Sequence, residues 1–190
     1  MTLIKSISGI RGTIGGKPGD GLTPFDVVKF TSAYGAWIIS RNKDKKCKII
    51  LGRDARISGT MVSGLVSSTL LGLGIDVIDT GLSTTPTVEM EVPFHQAQGG
   101  IILTASHNPK QWNALKLLNE KGEFISAADG AEVLDIAERE AFQYAEVGQL
   151  GTLTTDHHSI ARHIEKILAL PMVDRKAIAS KNFKVVIDCV

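Results

Sequence analysis

Short apolar runs alternate with longer amphipathic segments along most of this 190-residue chain. Runs of consecutive apolar and β-branched residues predict strands that are buried on both faces of a sheet. Four such runs are Lys48–Gly52, Ile75–Thr80, Gly99–Ala105 and Ala114–Leu118. Because the segments between them carry apolar residues at helical spacing, the alternation predicts a layered α/β fold with a parallel sheet.

Hydroxyl residues mark the starts of the predicted helices. Thr23-Pro24-Phe25-Asp26 combines an N-cap threonine with a proline at the first helical position and an acidic residue in the first turn. Ser58 and Thr84-Thr85-Pro86 predict the caps of the next two helices. Ser126 with Asp129 predicts a fourth helix that extends to about Val147.

The glycines in the segment Gly148–Gly151 predict a boundary between a first domain at residues 1–150 and a second unit at residues 151–190. The second unit contains a predicted helix, Ser159–Leu170, and an apolar strand, Phe183–Val190. About forty residues are too few for a domain, which usually has at least about 50. We therefore expect the truncated start of a second domain, whose unpaired strand favours self-association of the chain.

The composition excludes several classes of partner. The chain is 43% hydrophobic and 22% charged, with a formal net charge of +1, so we expect no nucleic-acid partner. No apolar run approaches the roughly 18 residues of a membrane span, so we expect no membrane partner. Cys47 and Cys189 lack metal-binding spacing and fit reduced cysteines of a cytoplasmic protein.

Six glycines lie between residues 9 and 21, and Arg11 is the one charged residue between the first two, Gly9 and Gly12. Such a segment lets the backbone approach a ligand closely. It is not a P-loop, because Arg11 stands where the first glycine is required and Pro18 replaces the serine or threonine. A glycine-rich hairpin without a ligand is an equally good interpretation of this segment.

Ser106 is the strongest candidate for chemistry. The predicted strand Gly99–Ala105 runs into Ser106-His107-Asn108-Pro109, whose residues favour turns. In α/β proteins, ligands bind outside such strand ends. The nucleophile elbow of hydrolases does not fit, because it requires glycines where this chain has Thr104 and Asn108.

Cationic residues near strand ends or glycine-rich turns indicate a phosphate ligand instead. They are Arg11, Arg53, Arg56 and Lys116. Converging cations would neutralise the roughly −1.5 to −2 charge of a phosphate group. Simpler interpretations stay open, with Arg53 and Asp54 as a loop clasp, His107 as a turn residue and Lys116 as a surface lysine.

Motifs along the first domain resemble those of the α-D-phosphohexomutases, in the same order. They are Gly9-Ile10-Arg11-Gly12, Gly52-Arg53-Asp54-Ala55-Arg56 with Ser58-Gly59, Thr84-Thr85-Pro86, and Thr104–Pro109 followed by Asn113–Lys116. Lys184–Cys189 resembles the first strand of that family's second domain, and the family has four domains. The resemblance implies a three-layer α/β/α domain with a mostly parallel (mixed) sheet, followed by the truncated start of a second α/β domain.

The same resemblance implies an isomerase that interconverts hexose 1-phosphate and hexose 6-phosphate. Ser106 matches the serine that carries the phosphoryl group and, through its phosphate, ligates Mg²⁺. A bisphosphorylated sugar is the intermediate, and hexose 1,6-bisphosphate is the expected activator. The substrate partner is therefore a phosphosugar.

Other residues take their expected roles from the matching motifs. His107 and Lys116 match residues close to the transferring group, and Arg11 matches an arginine that helps to shape the site. Asn108, Arg53 and Arg56 are expected to support the loop and the phosphate.

The chain also departs from the family pattern. Ala114 stands where the family usually has glycine, and the Asp-Gly-Asp-Gly-Asp metal loop is absent from this sequence. We therefore expect no turnover by the 190 residues alone. Ala105 favours a phosphoglucosamine mutase within the family. A non-catalytic phosphate-binding or assembly module and a metal-dependent sugar phosphatase are the alternatives.

Overall fold

The computed structural model describes residues 1–6 and 9–188. In these residues the chain forms one seven-stranded sheet in the order β1-β2-β6-β5-β3-β4-β7. The strands are β1 (Ile4–Ser6), β2 (Gly9–Thr13), β3 (Lys48–Arg53), β4 (Asp76–Leu82), β5 (Gly99–Leu103), β6 (Trp112–Leu118) and β7 (Leu153–Thr155). All four strands that the apolar runs predict are present.

Parallel pairs form one half of the sheet and antiparallel pairs the other. β3 pairs parallel with β4 and β5, and β4 pairs parallel with β7. β6 is antiparallel to both β5 and β2, and β1 is antiparallel to β2. Five of the seven described strands therefore point the same way, which confirms the mixed sheet.

Helices cover both faces of the sheet. They are α1 (Pro24–Arg41), α2 (Gly59–Gly72), α3 (Thr85–Phe94), α4 (Ala127–Arg139) and α5 (Ser159–Leu168), and a further short helix, α6 (Arg175–Ser180), has no buried residue. Alternate residues of β3 face opposite layers: Ile49 and Leu51 join the larger core under α1, α2 and α4, and Ile50 joins a smaller core under α3. This arrangement confirms the three-layer α/β/α architecture. None of the described helices has the length and apolarity needed to cross a bilayer.

Three of the four predicted helix caps are confirmed, including the capping box of Ser126 with Asp129 at α4, and one is wrong. Thr23 and Asp26 form a reciprocal capping box at α1, and Thr84 accepts a hydrogen bond from Thr87 N–H at α3. Ser58 precedes α2 but makes no side-chain cap. Its hydroxyl oxygen instead accepts a hydrogen bond from Asn113 Nδ2 at 2.9 Å, so it connects α2 to the start of β6.

The fourth helix begins as predicted at Ser126 but ends at Arg139, well before Val147. Glu140 adopts a left-handed conformation, with φ of 50°, and stops the helix. The chain then crosses to α2, where Ala145 N–H donates to the carbonyl oxygen of Gly72 at 2.8 Å. These backbone contacts, which helical periodicity does not reveal, hold residues 141–146 outside the helix.

Gly99 is required by a close contact between α1 and the sheet. The buried hydroxyl of Tyr34 lies 2.6 Å from the carbonyl oxygen of Leu118, to which it donates a hydrogen bond. That hydroxyl would be only 2.2 Å from a Cβ atom at position 99. Burial raises the pKa of Tyr34, so the phenol stays protonated and keeps donating.

The first elements after Gly151, β7 and α5, belong to the same α/β unit as the sheet. β7 pairs with β4, and α5 packs on α3. The polar side of α5 faces α3, whereas Ile160, Ile164 and Ile167 are 46%, 51% and 44% exposed. The domain boundary at residue 150 stays a prediction.

The strand predicted at Phe183–Val190 is wrong for residues 183–188, which belong to no strand. A strand requires a neighbour for its backbone hydrogen bonds, and no described strand pairs with these residues. Cys189 and Val190 lie outside the described residues. The side chains of Val185, Val186 and Ile187 are 72%, 88% and 79% exposed.

The self-association expected from this apolar tail stays a prediction, and shortening the chain tests it. We expect the 190-residue chain to form concentration-dependent oligomers, because burying each large apolar side chain contributes about 1.5–3 kcal/mol. A version ending at Leu170 keeps β7, α5 and the exposed isoleucines of α5 but lacks the apolar tail, so it should associate more weakly than the 190-residue chain. Light scattering of both proteins over a concentration series measures this, and two monomers would contradict the prediction.

Candidate functional site

A cleft of about 200 Å³ opens at the end of β5. It is lined by Arg11, Thr104, Ala105, Ser106, His107, Asn108, Ala114 and Lys116. Five of the seven site residues predicted from the sequence therefore meet in one place. Arg53 and Arg56 are not among the lining residues.

Ser106 lies in a turn rather than directly at the end of a strand. β5 ends at Leu103, two residues before the predicted end, and the turn begins at Ser106. The Oγ1 atom of Thr104 accepts a hydrogen bond from Ser106 N–H at 3.0 Å. Ser106 has φ of 55°, a left-handed conformation that is uncommon for serine and is found at functional sites. The turn presents an exposed hydroxyl residue to the cleft.

Two cations come from neighbouring strands. Arg11 on β2 pairs with Ala114 on β6, and Lys116 lies two residues further along β6. Because strand residues two apart share a face, both cations extend from the same side of the sheet. Arg11 Nε is buried and finds no hydrogen-bond acceptor among the described residues. The cleft therefore has positive charge with unused donor capacity.

One acidic side chain outside the cleft lining offsets part of this charge. Burial raises the pKa of Glu89 on α3, and the nearby charge of Lys116 opposes that rise. None of the described residues that line the cleft is Asp or Glu. Lys116 Nζ lies 5.8 Å from the centre of the Phe124 ring, which is a cation–π contact rather than an ion pair. Lys116 is half-buried, so the surface-lysine interpretation does not describe it.

The arginines of the Gly52–Gly59 motif lie behind the cleft. Arg53 Nη1 donates to the backbone oxygen of Asp54 at 3.2 Å. The carboxylate of Asp54 pairs instead with Arg56, whose Nε lies 3.1 Å from Oδ2. A loop clasp is thus present, but its arginine is Arg56 and not Arg53.

The glycine-rich segment contributes mainly Arg11 to the cleft. Gly15, Gly16 and Gly19 have positive φ values, and a Cβ atom at any of these positions would meet nothing within 4 Å, as expected for an exposed hairpin. Ile14 N–H donates to the carbonyl oxygen of Gln111 at 2.8 Å. The hairpin interpretation therefore describes residues 15–19, while Arg11 belongs to the site.

The sequence reasoning missed three lining residues. These residues are Thr104, Ala105 and Ala114. They shape the cleft through their backbone and their modest size, and their side chains carry no charge that would mark them in the sequence. A threonine two residues before a turn serine was the available signal for Thr104, because such hydroxyls bond to nearby backbone groups.

Comparison with known proteins identifies the family. Residues 3–144 match the model of the phosphoglucomutase/phosphomannomutase α/β/α domain I. The chain belongs to this family. A phosphoglucosamine/phosphogalactosamine mutase from Sulfurisphaera tokodaii is 33% identical over 181 residues, covering 95% of this chain and 37% of that protein. A phosphoglucomutase/phosphomannomutase from Thermococcus kodakarensis is 34% identical over 179 residues, covering 93% and 38%.

The fold agrees with solved structures of the family. A phosphoglucomutase/phosphomannomutase family protein from Burkholderia thailandensis superimposes with a TM-score of 0.71 at 20% identity, covering 90% of this chain and 36% of that one. The chain thus spans a little over a third of the length of the relatives that it matches.

The Mg²⁺ expected from the family does not fit the described residues of this cleft. Mg²⁺ prefers oxygen ligands, usually carboxylates together with water. The lining supplies hydroxyl and amide oxygens but no carboxylate, and Thr104 Oγ1 already accepts from Ser106 N–H.

Glu91, His95 and Asp156 form a separate group that could hold a metal ion, since their ligand atoms lie within 4.8 Å of one another. Arg162 already bridges both carboxylates, with Nε donating to Glu91 Oε1 at 3.1 Å. None of the three residues lines the Ser106 cleft, and the His95 carbonyl oxygen accepts a hydrogen bond from Lys48 Nζ at the start of β3. The cation between the two carboxylates is therefore the guanidinium of Arg162.

Hydrogen bonds within this group stabilise the ionised form of Asp156. Burial alone would raise the pKa of Asp156, but hydrogen bonds from Arg162, His158 N–H and His95 outweigh it and lower the pKa to about 2. A carboxylate with a depressed pKa stabilises the fold above its unfolded pKa of 3.8, and this contribution is lost as the pH falls from about 4 to about 2. The hydrogen bond to Glu91 raises the pKa of Arg162.

Replacing Arg162 tests the strength of these hydrogen bonds. Glu91 is 2% exposed, so Arg162→Met leaves a buried carboxylate without its main partner. We expect the free energy of unfolding to fall by about 3 kcal/mol in urea denaturation. Arg139→Met is the matched control, because its partner Asp135 is 60% exposed and the pair contributes at most about 0.5 kcal/mol. Equal losses in the two variants would contradict the expected difference.

Adding Mg²⁺ tests the absence of a metal cage. We expect millimolar Mg²⁺ to leave the Tm of the 190-residue chain unchanged, because a ligand stabilises a protein only when it binds the folded state. Differential scanning fluorimetry with Mg²⁺ and with an equal ionic strength of Na⁺ provides the measurement. A rise in Tm specific to Mg²⁺ would show that the chain holds the ion.

Proposed function

We propose that this chain carries the phosphoserine loop of an enzyme that interconverts hexose 1-phosphate and hexose 6-phosphate. The observation that carries the proposal is an exposed serine with positive φ beside two cations. One of these cations, Arg11, has a buried N–H without an acceptor. Membership of the mutase family supports the reaction class.

Ser106 is the phosphoryl carrier in the proposed reaction. A sugar hydroxyl attacks the phosphorus of phosphorylated Ser106, a new oxygen–phosphorus bond forms, and the bond from phosphorus to Ser106 Oγ breaks. The product is a hexose bisphosphate. After it reorients, Ser106 Oγ attacks its other phosphoryl group and recovers a phosphate, which leaves the isomeric monophosphate.

His107 and the two cations divide the supporting roles. His107 is exposed beside Ser106, where it is placed to accept the proton of the attacking sugar hydroxyl. Arg11 and Lys116 contact the phosphoryl oxygens, because cations fixed in advance stabilise the charge that develops during transfer. Asn108 holds the turn that carries Ser106.

The proposed substrate is a hexosamine phosphate. This assignment rests on the name of the Sulfurisphaera tokodaii relative, which is 33% identical, together with the Ala105 variant of the serine motif. Hexose 1,6-bisphosphate loads Ser106, and Mg²⁺ assists only in a full-length protein with further ligands. A cytoplasmic location fits the free Cys47, because thiols stay reduced in that compartment.

Mass spectrometry of a full-length protein that carries this chain tests the role of Ser106. After incubation with glucosamine 1,6-bisphosphate, we expect a single phosphoryl adduct that maps to Ser106. Ser106→Ala should lose both the adduct and the mutase activity. Ser68→Ala on α2 is the matched control, since Ser68 is also exposed and should behave as the wild type.

The outcomes separate the proposed reaction from the two alternatives. Mutase activity in Ser106→Ala would overturn the carrier mechanism. Phosphate binding without an adduct in the wild type would favour a non-catalytic module. An adduct that is released only to water would favour a sugar phosphatase.

A further inference from the structure

The guanidinium of Arg56 is fully occupied by the protein itself. An arginine side chain has five N–H donors, and each of those of Arg56 has an acceptor. Nε donates to Asp54 Oδ2 at 3.1 Å. The two Nη atoms donate to the carbonyl oxygens of Ser106 (2.6 Å), Asn108 (2.8 Å), Pro109 (2.9 Å) and Trp112 (3.0 Å).

These acceptors belong to one segment. The Ser106 loop, residues 104–111, connects β5 to β6, and Trp112 is the first residue of β6. Arg56 therefore contacts the loop at three carbonyl groups and the strand that follows it at a fourth. Its side chain is only 11% exposed, so the guanidinium lies beneath the loop.

The sheet fixes the position from which Arg56 reaches the loop. Asp54 N–H donates to the carbonyl oxygen of Leu103, the last residue of β5, at 3.1 Å. The carboxylate of Asp54 accepts from the backbone N–H of Arg56 at 3.0 Å as well as from Nε. The backbone oxygen of Arg56 in turn accepts from Gly59 N–H at the start of α2, at 2.8 Å.

Ser106 is held on both sides of its Cα atom. Its N–H donates to Thr104 Oγ1 and its carbonyl oxygen accepts from Arg56. A left-handed φ is unfavourable for a residue with a side chain, so the contacts around it must hold it there. The direction of the serine hydroxyl depends on this backbone conformation.

We propose that Arg56 is a positioning residue that holds the Ser106 loop in the shape required for phosphoryl transfer. The inference rests on the proposed function, and it gives Arg56 a different task from Arg11. With all five donors in use, Arg56 has no N–H left for a phosphate group, whereas Arg11 Nε has no acceptor among the described residues. Arg56 therefore acts on the reaction through the loop backbone.

Arg56→Lys separates this task from the charge of the side chain. Lysine keeps the positive charge, but its three donors on one atom cannot reach four carbonyl groups and a carboxylate together. In the 190-residue chain, we expect amide hydrogen exchange across residues 104–112 to become about tenfold faster. In a full-length protein, we expect kcat to fall about tenfold or more, with KM for the hexose phosphate changed less than about twofold.

Two further variants keep the experiment decisive. Arg139→Lys is the matched control, since that arginine pairs with the exposed Asp135 on its own helix. It should leave exchange and kinetics at wild-type values. Asp54→Asn removes the carboxylate charge that orients the guanidinium and leaves the four carbonyl contacts possible, so it should give smaller effects of the same kind. It serves as the main variant if Arg56→Lys does not fold.

The exchange and kinetic measurements each test the inference separately. Unchanged exchange in Arg56→Lys would overturn the inference, because the loop would then keep its shape without the guanidinium. Faster exchange with unchanged kcat would overturn it as well, because loop shape would not govern transfer. A wild-type protein without mutase activity would overturn the proposed function, and the exchange difference alone would then decide whether Arg56 holds the loop.

Discussion

The parallel pairing of β3 with β5 is the contact on which the candidate site depends. In this register Arg53, the last residue of β3, lies beside Leu103, the last residue of β5. The chain segments that leave these strands therefore start side by side. This is why the turn at residues 54–56 can support the loop at residues 104–111, although about fifty positions separate them in the sequence. Strand pairing brings the site together before any catalytic side chain takes part.

The two faces of the sheet are held by different kinds of interaction. The core under α1, α2 and α4 is large and apolar, and the core under α3 is small. Attachment of α5 on that second face relies on polar groups, through Arg162 with Glu91 and through His163 Nδ1, which lies 2.8 Å from Thr87 Oγ1. Since apolar burial tolerates small shifts and directed polar contacts do not, the orientation of α5 is set by a few atoms.

The sequence predicted those features that depend on local patterns. The central strands, the capping box at Thr23 and the gathering of Arg11, Ser106 and Lys116 follow from apolar runs, capping residues and motifs. The end of α4 at Glu140 and the hydrogen bond of the Ser58 hydroxyl to Asn113 could not be predicted, because contacts with distant residues determine both. Short strands such as β1 and β7 were also missed, since their exposed residues carry no apolar signal. The sequence identifies Arg56 as a cationic residue, but only the folded chain shows which hydrogen-bond acceptors its guanidinium contacts.

The contacts that Arg56 makes to the Ser106 loop involve backbone oxygens and no loop side chain. Every amino acid has such an oxygen, so the shape of the loop is largely independent of the side chains that it carries, apart from the serine and its turn. Evolution can therefore exchange the exposed residues at positions such as Lys110 and Gln111 while the architecture of the loop persists. A family whose members act on different sugars has use for such a loop, because the neighbourhood of the reactive serine can diverge without being rebuilt.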